Sequence, residues 1–352
     1  MRQISLLRSP RAASALLAAL AVSTSACSSG ASGGKAAAND ASAPGDASTS
    51  TDGSGSSDAS ARSDAPVDAI TMTKISARGF VFDARVAGPP DGDVVILLHG
   101  FPETSLEWES QLGALARAGY RAVAPDQRGY SPGARPSGVA AYAVTELILD
   151  VVAMADAIGA ARFHVVGHDW GAAVAWGVAG LAKDRVASVS PMSVPHPDAF
   201  ATVLADQTSC QYSASSYFDL FTQPTATDSL VGNDASGLGV FYTGLPPGHA
   251  AAYVEALGTH DAMDAALNWY RANVANRKLT APALGPITVP TMYIWSDGDT
   301  ALCRDGADLT KDHVTGPYRF EIVRGIDHWV PEKAADTVNA LLLDELAKYP
   351  LK

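Results

Sequence analysis

The sequence predicts an α/β fold in which a mostly parallel central sheet carries helices on both faces and is interrupted by an inserted helical cap. Short apolar runs alternate with helix-like segments from residue 94 to residue 192, and the alternation resumes at residue 290. Strands that alternate with helices are typical of a parallel sheet covered on both faces. Residues 195–286 lack strand-like runs. We therefore expect this insert to form a lid over the carboxyl ends of the strands, where such sheets bind ligands.

The predicted strands are short and largely apolar. Residues 94–98 are apolar at every position, which suits a strand buried on both faces of the sheet. We predict strands over residues 94–98, 120–124, 163–166, 188–192, 290–295 and 318–323.

The predicted helices carry apolar residues three or four positions apart, a spacing that places them on one helix face. Leu147, Val151 and Met154 form such a stripe. We predict core helices over residues 108–118, 144–158, 171–181 and 331–346, and cap helices over residues 216–221, 249–257 and 261–275. The core would then consist of two parts, residues 70–194 and 287–352.

Residues 1–27 have the order of a secretory signal peptide. Three arginines come first, an apolar run covers residues 12–22, and small residues follow up to Cys27. The apolar run is too short to cross a hydrocarbon core of about 30 Å as a helix. We therefore expect export from the cell without a retained transmembrane helix.

Residues 24–27 (Thr-Ser-Ala-Cys) resemble the cleavage box of bacterial lipoproteins, in which Cys27 would become the lipidated first residue of the mature protein. Thr24 departs from the leucine that such boxes usually carry. The alternative is cleavage after Ala26, which would give a periplasmic or secreted protein. We therefore expect contact with a membrane only through an N-terminal lipid anchor, which requires lipidation of Cys27.

Residues 28–69 are mostly Ser, Ala, Gly and Asp. A segment of this composition cannot bury enough apolar surface to offset its chain entropy, so we predict a disordered linker. The formal net charge of the chain is -12, which argues against nucleic-acid binding because that function requires a basic face. Oligomeric state is not indicated by any of these patterns.

The segment Gly167-His168-Asp169-Trp170-Gly171 lies between a predicted strand and a predicted helix of small residues. This is the context of a nucleophile elbow, in which the central residue of Gly-x-Ser-x-Gly is the nucleophile. The glycines are needed because side chains two positions away would clash with the neighbouring strand or helix. Asp169 is therefore the candidate nucleophile.

An aspartate at this position restricts the chemistry. Attack of a carboxylate on an ester carbonyl would give a labile anhydride, whereas attack on a saturated carbon gives an alkyl ester that water can hydrolyse. A small apolar electrophile, with a carbon that carries a strained ether or a halide, is therefore the predicted partner of Asp169, together with water.

Five segments resemble the epoxide hydrolases of the α/β-hydrolase superfamily, which are related to the haloalkane dehalogenases. The segments are His99-Gly100-Phe101-Pro102-Glu103, Asp126-Gln127-Arg128-Gly129-Tyr130, Gly167-His168-Asp169-Trp170-Gly171, Asn268-Trp269-Tyr270-Arg271 and Asp327-His328-Trp329. They occur in the family's order, and the resemblance covers residues 75–345. It implies the α/β-hydrolase fold and the opening of an epoxide to a diol, with no metal or organic cofactor.

The resemblance also implies the partners of Asp169. His328 matches the general base, and the acid that orients it follows the predicted strand at residues 290–295. Asp297 and Asp299 are both candidates by position, and the family pattern favours Asp299. The backbone N–H groups of Phe101 and Trp170 would form the oxyanion hole.

Family members protonate the opening epoxide with two tyrosines from the cap. Tyr270, in Asn-Trp-Tyr-Arg, matches one of them. Tyr217 is the best match for the other, although Leu220 stands where the family usually has a second aromatic residue. Tyr212 is the alternative to Tyr217.

Two other functions remain open. A haloalkane-type dehalogenase would use the same Asp-His-Asp triad, but such enzymes usually carry Asn or Glu at the position of Phe101. The other alternative is an inactive surface lipoprotein that acts as a binding module, which the complete set of candidate catalytic residues disfavours.

Cys210 and Cys303 are the two cysteines that remain in the predicted folded part. In the fold that the resemblance implies, the start of the cap and the loop after the triad acid both lie near the mouth of the active-site crevice. We predict that the two cysteines form a disulfide that connects the cap to the core. A Cα–Cα distance well beyond about 7 Å would exclude it.

Overall fold

The computed structural model describes residues 68–351. The signal peptide, the candidate lipidation site at Cys27 and the linker predicted for residues 28–69 lie outside these residues, apart from positions 68 and 69. None of the helices formed by residues 68–351 is long and apolar enough to span a bilayer.

Eight strands form the central sheet. They are β1 (Thr71–Ala77), β2 (Phe80–Ala87), β3 (Val94–Leu98), β4 (Arg121–Pro125), β5 (Phe163–His168), β6 (Val186–Met192), β9 (Thr291–Ser296) and β10 (Tyr318–Val323); a separate hairpin contains β7 (Val274–Ala275) and β8 (Lys278–Leu279). The sheet order is β1-β2-β4-β3-β5-β6-β9-β10. Pairing is parallel from β4 to β10 and antiparallel between β1 and β2 and between β2 and β4. The predicted fold class is confirmed.

The six predicted strands all form, whereas β1 and β2 are not predicted by the sequence. The apolar runs that the sequence reveals belong to strands buried on both faces, such as β3 and β5. β1 is an edge strand, and most of its residues are exposed. Because it has only one partner strand and little buried surface, its polar composition does not distinguish it from a loop.

Twelve α-helices lie among the described residues, together with several short 3-10 helices. They are α1 (Glu109–Arg117), α2 (Val144–Ala157), α3 (Trp170–Leu181), α4 (Pro197–Ala205), α5 (Cys210–Ala214), α6 (Phe218–Phe221), α7 (Ala226–Gly239), α8 (His249–Leu257), α9 (His260–Asn273), α10 (Arg304–Leu309), α11 (Val330–Lys333) and α12 (Ala335–Leu346). Backbone angles leave the helical range at residues 232–235, so α7 is broken in the middle. Every predicted helix is present, although the one predicted over residues 331–346 forms as two helices, α11 and α12. The sequence does not predict α4, α5, α7 and α10.

The sheet separates two apolar cores because successive side chains of a strand point to opposite faces. Ile96 and Leu98 of β3 pack in one core with α2 and α3. Val95 and Leu97 pack in the other core with α1 and α12. Helices therefore cover both faces, and the parallel strands place their carboxyl ends along one edge.

The chain between β6 and β9 forms α4 to α9 and the small β7–β8 hairpin. Trp269 and Tyr270 of α9 are buried, and α9 contacts α2 of the core as well as α7 and α8 of the insert. The indole N–H of Trp269 donates to the backbone carbonyl oxygen of Arg128. This helix therefore carries cap side chains towards the edge of the sheet where β3 and β5 end.

Candidate active site

Asp169 stands at the sharp turn between β5 and α3, with a backbone φ of 49° and ψ of -121°. Positive φ is uncommon for residues other than glycine, so the surrounding packing must maintain it. A Cβ on Gly167 would lie 2.2 Å from the carbonyl oxygen of Gly171, and a Cβ on Gly171 would lie 1.9 Å from that of Leu98. Backbone packing therefore requires both glycines of the Gly-x-Asp-x-Gly segment.

A backbone N–H group contacts the Asp169 carboxylate from the turn after β3. The Phe101 N–H donates to Asp169 Oδ1 at 2.9 Å. Gly100 allows this approach, because a Cβ there would lie 2.5 Å from the Cβ of Asp169. A backbone N–H group that points at an oxygen of the candidate nucleophile is typical of an oxyanion hole. Trp170 is the first residue of α3, and its contribution as the second donor stays a prediction.

His328 lies on the loop after β10 and between two carboxylates. Its Nδ1–H donates to Asp299 Oδ2 at 2.8 Å, and its Nε2 lies 3.6 Å from Asp169 Oδ2. The second separation is longer than a hydrogen bond. Because Nδ1 carries the proton that is donated to Asp299, Nε2 of a neutral His328 is unprotonated. In that state Nε2 could accept a proton from a water molecule beside Asp169.

The two candidates for the triad acid have different surroundings. Asp299 is buried, and its Oδ1 accepts hydrogen bonds from the backbone N–H groups of Ala301 and Leu302. Asp297 is exposed and pairs with Arg324 at 3.0 Å. The geometry therefore brings Asp299, and not Asp297, to His328.

The charges of this group favour an ion pair in the free protein. Burial acts to raise the pKa of the Asp169 carboxyl group, but the contact and charge of His328 lower the pKa below its usual value. Burial acts to lower the pKa of His328, whereas the carboxylates of Asp299 and Asp169 raise it well above its usual value. Near neutral pH an Asp169 anion therefore lies beside a protonated His328.

Tyr217 and Tyr270 come together on the cap side of Asp169. Both side chains are buried, and their ring centroids lie 6.2 Å apart. The Tyr270 ring packs edge-on against Trp170 and Phe101, with centroid distances of 5.1 Å in both cases. Burial, followed by the negative charge of Asp169, raises the pKa of both phenols well above the usual value. Both hydroxyl groups therefore stay protonated.

Tyr212, the alternative to Tyr217, has a different environment. Its ring lies under the guanidinium group of Arg277, 4.7 Å from the centroid, and it is only partly buried. Tyr217 lines the same cavity as Asp169. The geometry therefore favours Tyr217 as the second cap tyrosine.

A cavity that is partly open to solvent lies at Asp169. Side chains from α2, α3, the start of the cap and residues 279–284 line it, and most of them are apolar. The site therefore suits a small apolar molecule, as the sequence predicts.

A buried network below Asp169 is not predicted by the sequence. The His168 Nε2–H donates to the backbone carbonyl oxygen of His328 at 2.9 Å, and His168 Nδ1 lies 2.8 Å from Glu107 Oε1. The other Glu107 oxygen accepts from the Gly100 N–H. Glu107 thus connects the turn before Phe101 to the loop that carries His328. No sequence pattern singles out Glu107, because only the fold brings it to His168.

Within residues 68–351, two groups of side chains have ligand-type atoms close enough together for a metal ion. They are His196, Asp198 and His313, and Glu103, Glu107 and His168. In the first group His196 Nδ1 accepts a hydrogen bond from the Asp198 N–H. In the second group Glu107 Oε2 accepts from the Gly100 N–H, and Glu107 Oε1 lies 2.8 Å from His168 Nδ1. We assign neither group a role in binding a metal.

A disulfide and a buried glutamine connect the cap to the loop that orients His328. Cys210 and Cys303 are joined, with Cα atoms 6.1 Å apart, inside the limit set for the predicted disulfide. Gln211 Nε2 donates to the Ala301 carbonyl oxygen at 2.8 Å, and its Oε1 accepts from the Cys303 N–H at 2.9 Å. Ala301 in turn donates its N–H to Asp299. We call this unit the Gln211 clamp.

Comparison with known families and proteins is consistent with this geometry. A family model described as the alpha/beta hydrolase fold matches residues 93–334. Epoxide hydrolase A of Mycobacterium tuberculosis is 33% identical over 320 residues, which cover 81% of this chain and 99% of that protein.

Solved structures of similar proteins extend over the same part of the chain. A structure of novel epoxide hydrolases of the α/β-hydrolase superfamily, from metagenomes of hot environments, is 33% identical with a TM-score of 0.70; the match covers 78% of this chain and 98% of that one. Epoxide hydrolase A from Mycobacterium thermoresistibile is 27% identical with a TM-score of 0.69, covering 81% and 100%.

Replacing Gln211 by Ala should destabilise the protein and loosen the loop at Asp299. The substitution leaves the buried Cys303 N–H unpaired, at a cost of about 1–3 kcal/mol, and it also removes the donor to the partly buried Ala301 carbonyl oxygen. We expect a lower midpoint of denaturant unfolding and faster hydrogen exchange of the Ala301 and Leu302 amides. Gln223→Ala is the matched control, because Gln223 is an exposed cap residue that bonds only within its own segment. Equal behaviour of the two variants would contradict the clamp.

Proposed function

Because this chain belongs to the epoxide hydrolase family of the α/β-hydrolase superfamily, we propose that it converts an epoxide to a vicinal diol through a covalent ester on Asp169. The observation that supports this most directly is the placement of the Asp169 carboxylate. It accepts from the Phe101 N–H on one oxygen and faces His328 on the other, and His328 is held by Asp299.

In the first step an Asp169 oxygen attacks one carbon of the epoxide. The new C–O bond forms as the ring C–O bond breaks, and the ring oxygen leaves with the electron pair. The lowered pKa of Asp169 keeps the nucleophile ionised. Oδ2 is the better placed oxygen, since Oδ1 already accepts from Phe101.

Tyr217 and Tyr270 donate hydrogen bonds to the epoxide oxygen and supply the proton that the alkoxide takes up. Their raised pKa keeps the hydroxyl protons in place before the ring opens. An alkoxide is nevertheless far more basic than a phenolate, whose conjugate acid has a pKa of about 10 in water. Proton transfer to the alkoxide therefore stays favourable.

In the second step water hydrolyses the ester at Asp169. Esterification removes the negative charge of Asp169, which is one of the two charges that raise the pKa of His328. The pKa of His328 should then fall, so that the ring can release its proton, which replaces the one that the cap tyrosines gave to the alkoxide. The neutral ring can then act as general base towards water. The Phe101 N–H, with that of Trp170, stabilises the oxyanion that forms when water attacks the ester carbonyl. Collapse of this intermediate breaks its C–O bond to the substrate, and the leaving oxygen takes the proton that His328 accepted from water, which frees the diol. The second proton of the water passes from the Asp169 carboxyl group to His328, which restores the Asp169 anion beside a protonated His328.

A dehalogenase would share Asp169, Asp299 and His328, and it is the second candidate. The two protonated tyrosines favour the epoxide, because ring opening produces an oxygen that needs a proton whereas halide release does not. An inactive binding module is disfavoured, since it would have no need for the assembled triad.

A single turnover of styrene oxide, followed by intact-protein mass spectrometry, tests this function. The wild-type protein should release the diol. His328→Gln should accumulate an adduct of one epoxide per protein on the peptide that contains Asp169, because water is no longer activated.

Asp169→Asn should give neither adduct nor diol and serves as the control for nonspecific alkylation. Halide release from haloalkanes, without any turnover of a panel of epoxides, would favour the dehalogenase. Absence of turnover with both epoxides and haloalkanes would favour the inactive binding module.

The charge coupling between Asp169 and His328 can be measured separately. In Asp169→Asn the pKa of His328 should be lower than in the wild-type protein, because a neutral side chain replaces one of its two carboxylate partners. Histidine NMR signals recorded across a pH titration would show this. His249 is an internal control, since Glu332 and Glu109 raise its pKa. An unchanged His328 titration would contradict the proposed second step.

A further inference from the structure

His249 of the cap lies between two carboxylates of the core. It is the first residue of α8, and its side chain is buried. His249 Nδ1 lies 2.5 Å from Glu332 Oε1 in α11, and its Nε2 lies 3.2 Å from Glu109 Oε2 at the start of α1. Tyr253, one turn further along α8, donates its hydroxyl to the same Glu332 oxygen at 2.9 Å. We call these four residues the His249 bridge, since they join the cap to two elements of the core.

The bridge depends on charge because Glu332 is buried. Burial acts to raise the pKa of the Glu332 carboxyl group, but the hydrogen bond with His249 holds it below its usual value. Burial likewise acts to lower the pKa of His249, whereas the contacts and charges of Glu332 and Glu109 raise it. Glu103 also contacts Glu332, and burial, followed by the charge of Glu107, raises the pKa of Glu103 well above its usual value, so Glu103 stays protonated. An imidazolium therefore stabilises a buried carboxylate that would be costly without a cation.

α11 is joined directly to the loop that carries His328. It begins two residues after His328, and the Val330 N–H donates to the His328 carbonyl oxygen at 2.8 Å. His328 Nε2 lies 3.6 Å from Asp169 Oδ2, and the water of the second step must fit beside both residues. A displacement of α11 would therefore change the geometry of that step.

The cap holds α11 through two neighbouring side chains. One is Glu332, a member of the bridge. The other is Lys333, whose Nζ donates to the Thr243 carbonyl oxygen of the cap and to Asp327 Oδ2, both at 2.7 Å. Asp327 immediately precedes the triad histidine. The cap is thus connected to the segments on both sides of that histidine.

The tyrosines that act in the first step are attached to the core at other places. Trp269, next to Tyr270, donates its indole N–H to the Arg128 carbonyl oxygen. The disulfide at Cys210 joins the core to the cap segment that precedes Tyr217. Loss of the bridge should therefore affect hydrolysis of the ester more than its formation.

We propose that His249 and Glu332 are positioning residues for His328: they hold α11 against the cap, and hydrolysis of the ester requires this contact whereas formation of the ester does not. The inference rests on the proposed function and adds two residues to it. Both residues act through α11 and not on the reacting atoms.

The contact should weaken as the pH rises, because Glu332 loses its cationic partner when His249 loses its proton. Glu332 and Glu109 raise the pKa of His249 in the folded protein. Stabilisation by the bridge is therefore complete below about pH 6.5, the usual pKa of histidine, and it is lost as the pH rises through the raised value.

A double variant, His249→Gln with Glu332→Gln, removes both charges and keeps two side chains that can form hydrogen bonds. In a single turnover of styrene oxide at pH 7, its ester on Asp169 should decay roughly tenfold more slowly than in the wild-type protein, because a misplacement of about 1 Å can cost about a hundredfold in rate. Ester formation should change by less than about twofold, so kcat and KM fall together. His260→Gln is the matched control and should leave both rates unchanged, because His260 is an exposed cap histidine that pairs with the exposed Asp228.

Hydrogen exchange of the wild-type protein tests the bridge without a substitution. The Lys333 and Ala334 N–H groups donate to the carbonyl oxygens of Trp329 and Val330. Their protection factors, corrected for the intrinsic effect of pH on exchange, should fall over the same pH range in which the NMR signals of His249 titrate. Protection that stays constant through that titration would contradict the bridge. This measurement decides the question if the double variant does not fold.

The outcomes separate the two proposals. Diol formation by the wild-type protein, together with ester decay in the double variant that is as fast as in the wild type, would overturn the positioning role and leave epoxide hydrolysis intact. Equal slowing of ester formation and ester decay would have the same meaning, since it would indicate a general structural effect. Absence of ester and diol with every epoxide would overturn the proposed function, and the positioning role with it.

Discussion

The chemistry of the site depends on one strained turn between β5 and α3. Asp169 adopts a positive φ there, and Gly167 and Gly171 permit it because no side chain fits at either position. The turn directs the carboxylate to the Phe101 N–H and His328. Because the carboxyl ends of β3, β5, β9 and β10 lie along one edge, short loops after these strands deliver the remaining groups to this point.

The opposite charges of Asp169 and His328 suit this pair to both steps of the proposed reaction. The free protein holds the Asp169 anion beside a protonated His328, and each stabilises the charge of the other. Under the proposed mechanism, alkylation neutralises Asp169 and so removes one of the two carboxylates that raise the pKa of His328, and the base becomes available when the ester is present. The Gln211 clamp and the Glu107–His168 contact hold the loops on either side of His328, so this exchange of charge needs no large movement.

The sequence predicts the fold class, the buried strands and the placement of Asp169 because all three depend on local patterns. It does not decide between Asp297 and Asp299 by position alone; that choice depends on which carboxylate the loop after β9 buries. Gln211 and Glu107 are not predictable from the sequence, since their partners lie 90 residues away at Ala301 and 61 residues away at His168. The resemblance favours Tyr217 over Tyr212, and the packing of the cap agrees with that preference because Tyr217 lines the cavity at Asp169. Cys27 and the preceding segment stay predictions.

The fate of the water oxygen tests the covalent ester most directly. A single turnover in H₂¹⁸O, with protein in excess over epoxide, should place ¹⁸O in the Asp169 carboxylate and leave the diol unlabelled, because water attacks the ester carbonyl and not the epoxide carbon. Mass spectrometry of the diol and of the Asp169 peptide gives both readings. A labelled diol with an unlabelled Asp169 in the first turnover would mean direct attack of water on the epoxide, and would contradict the account.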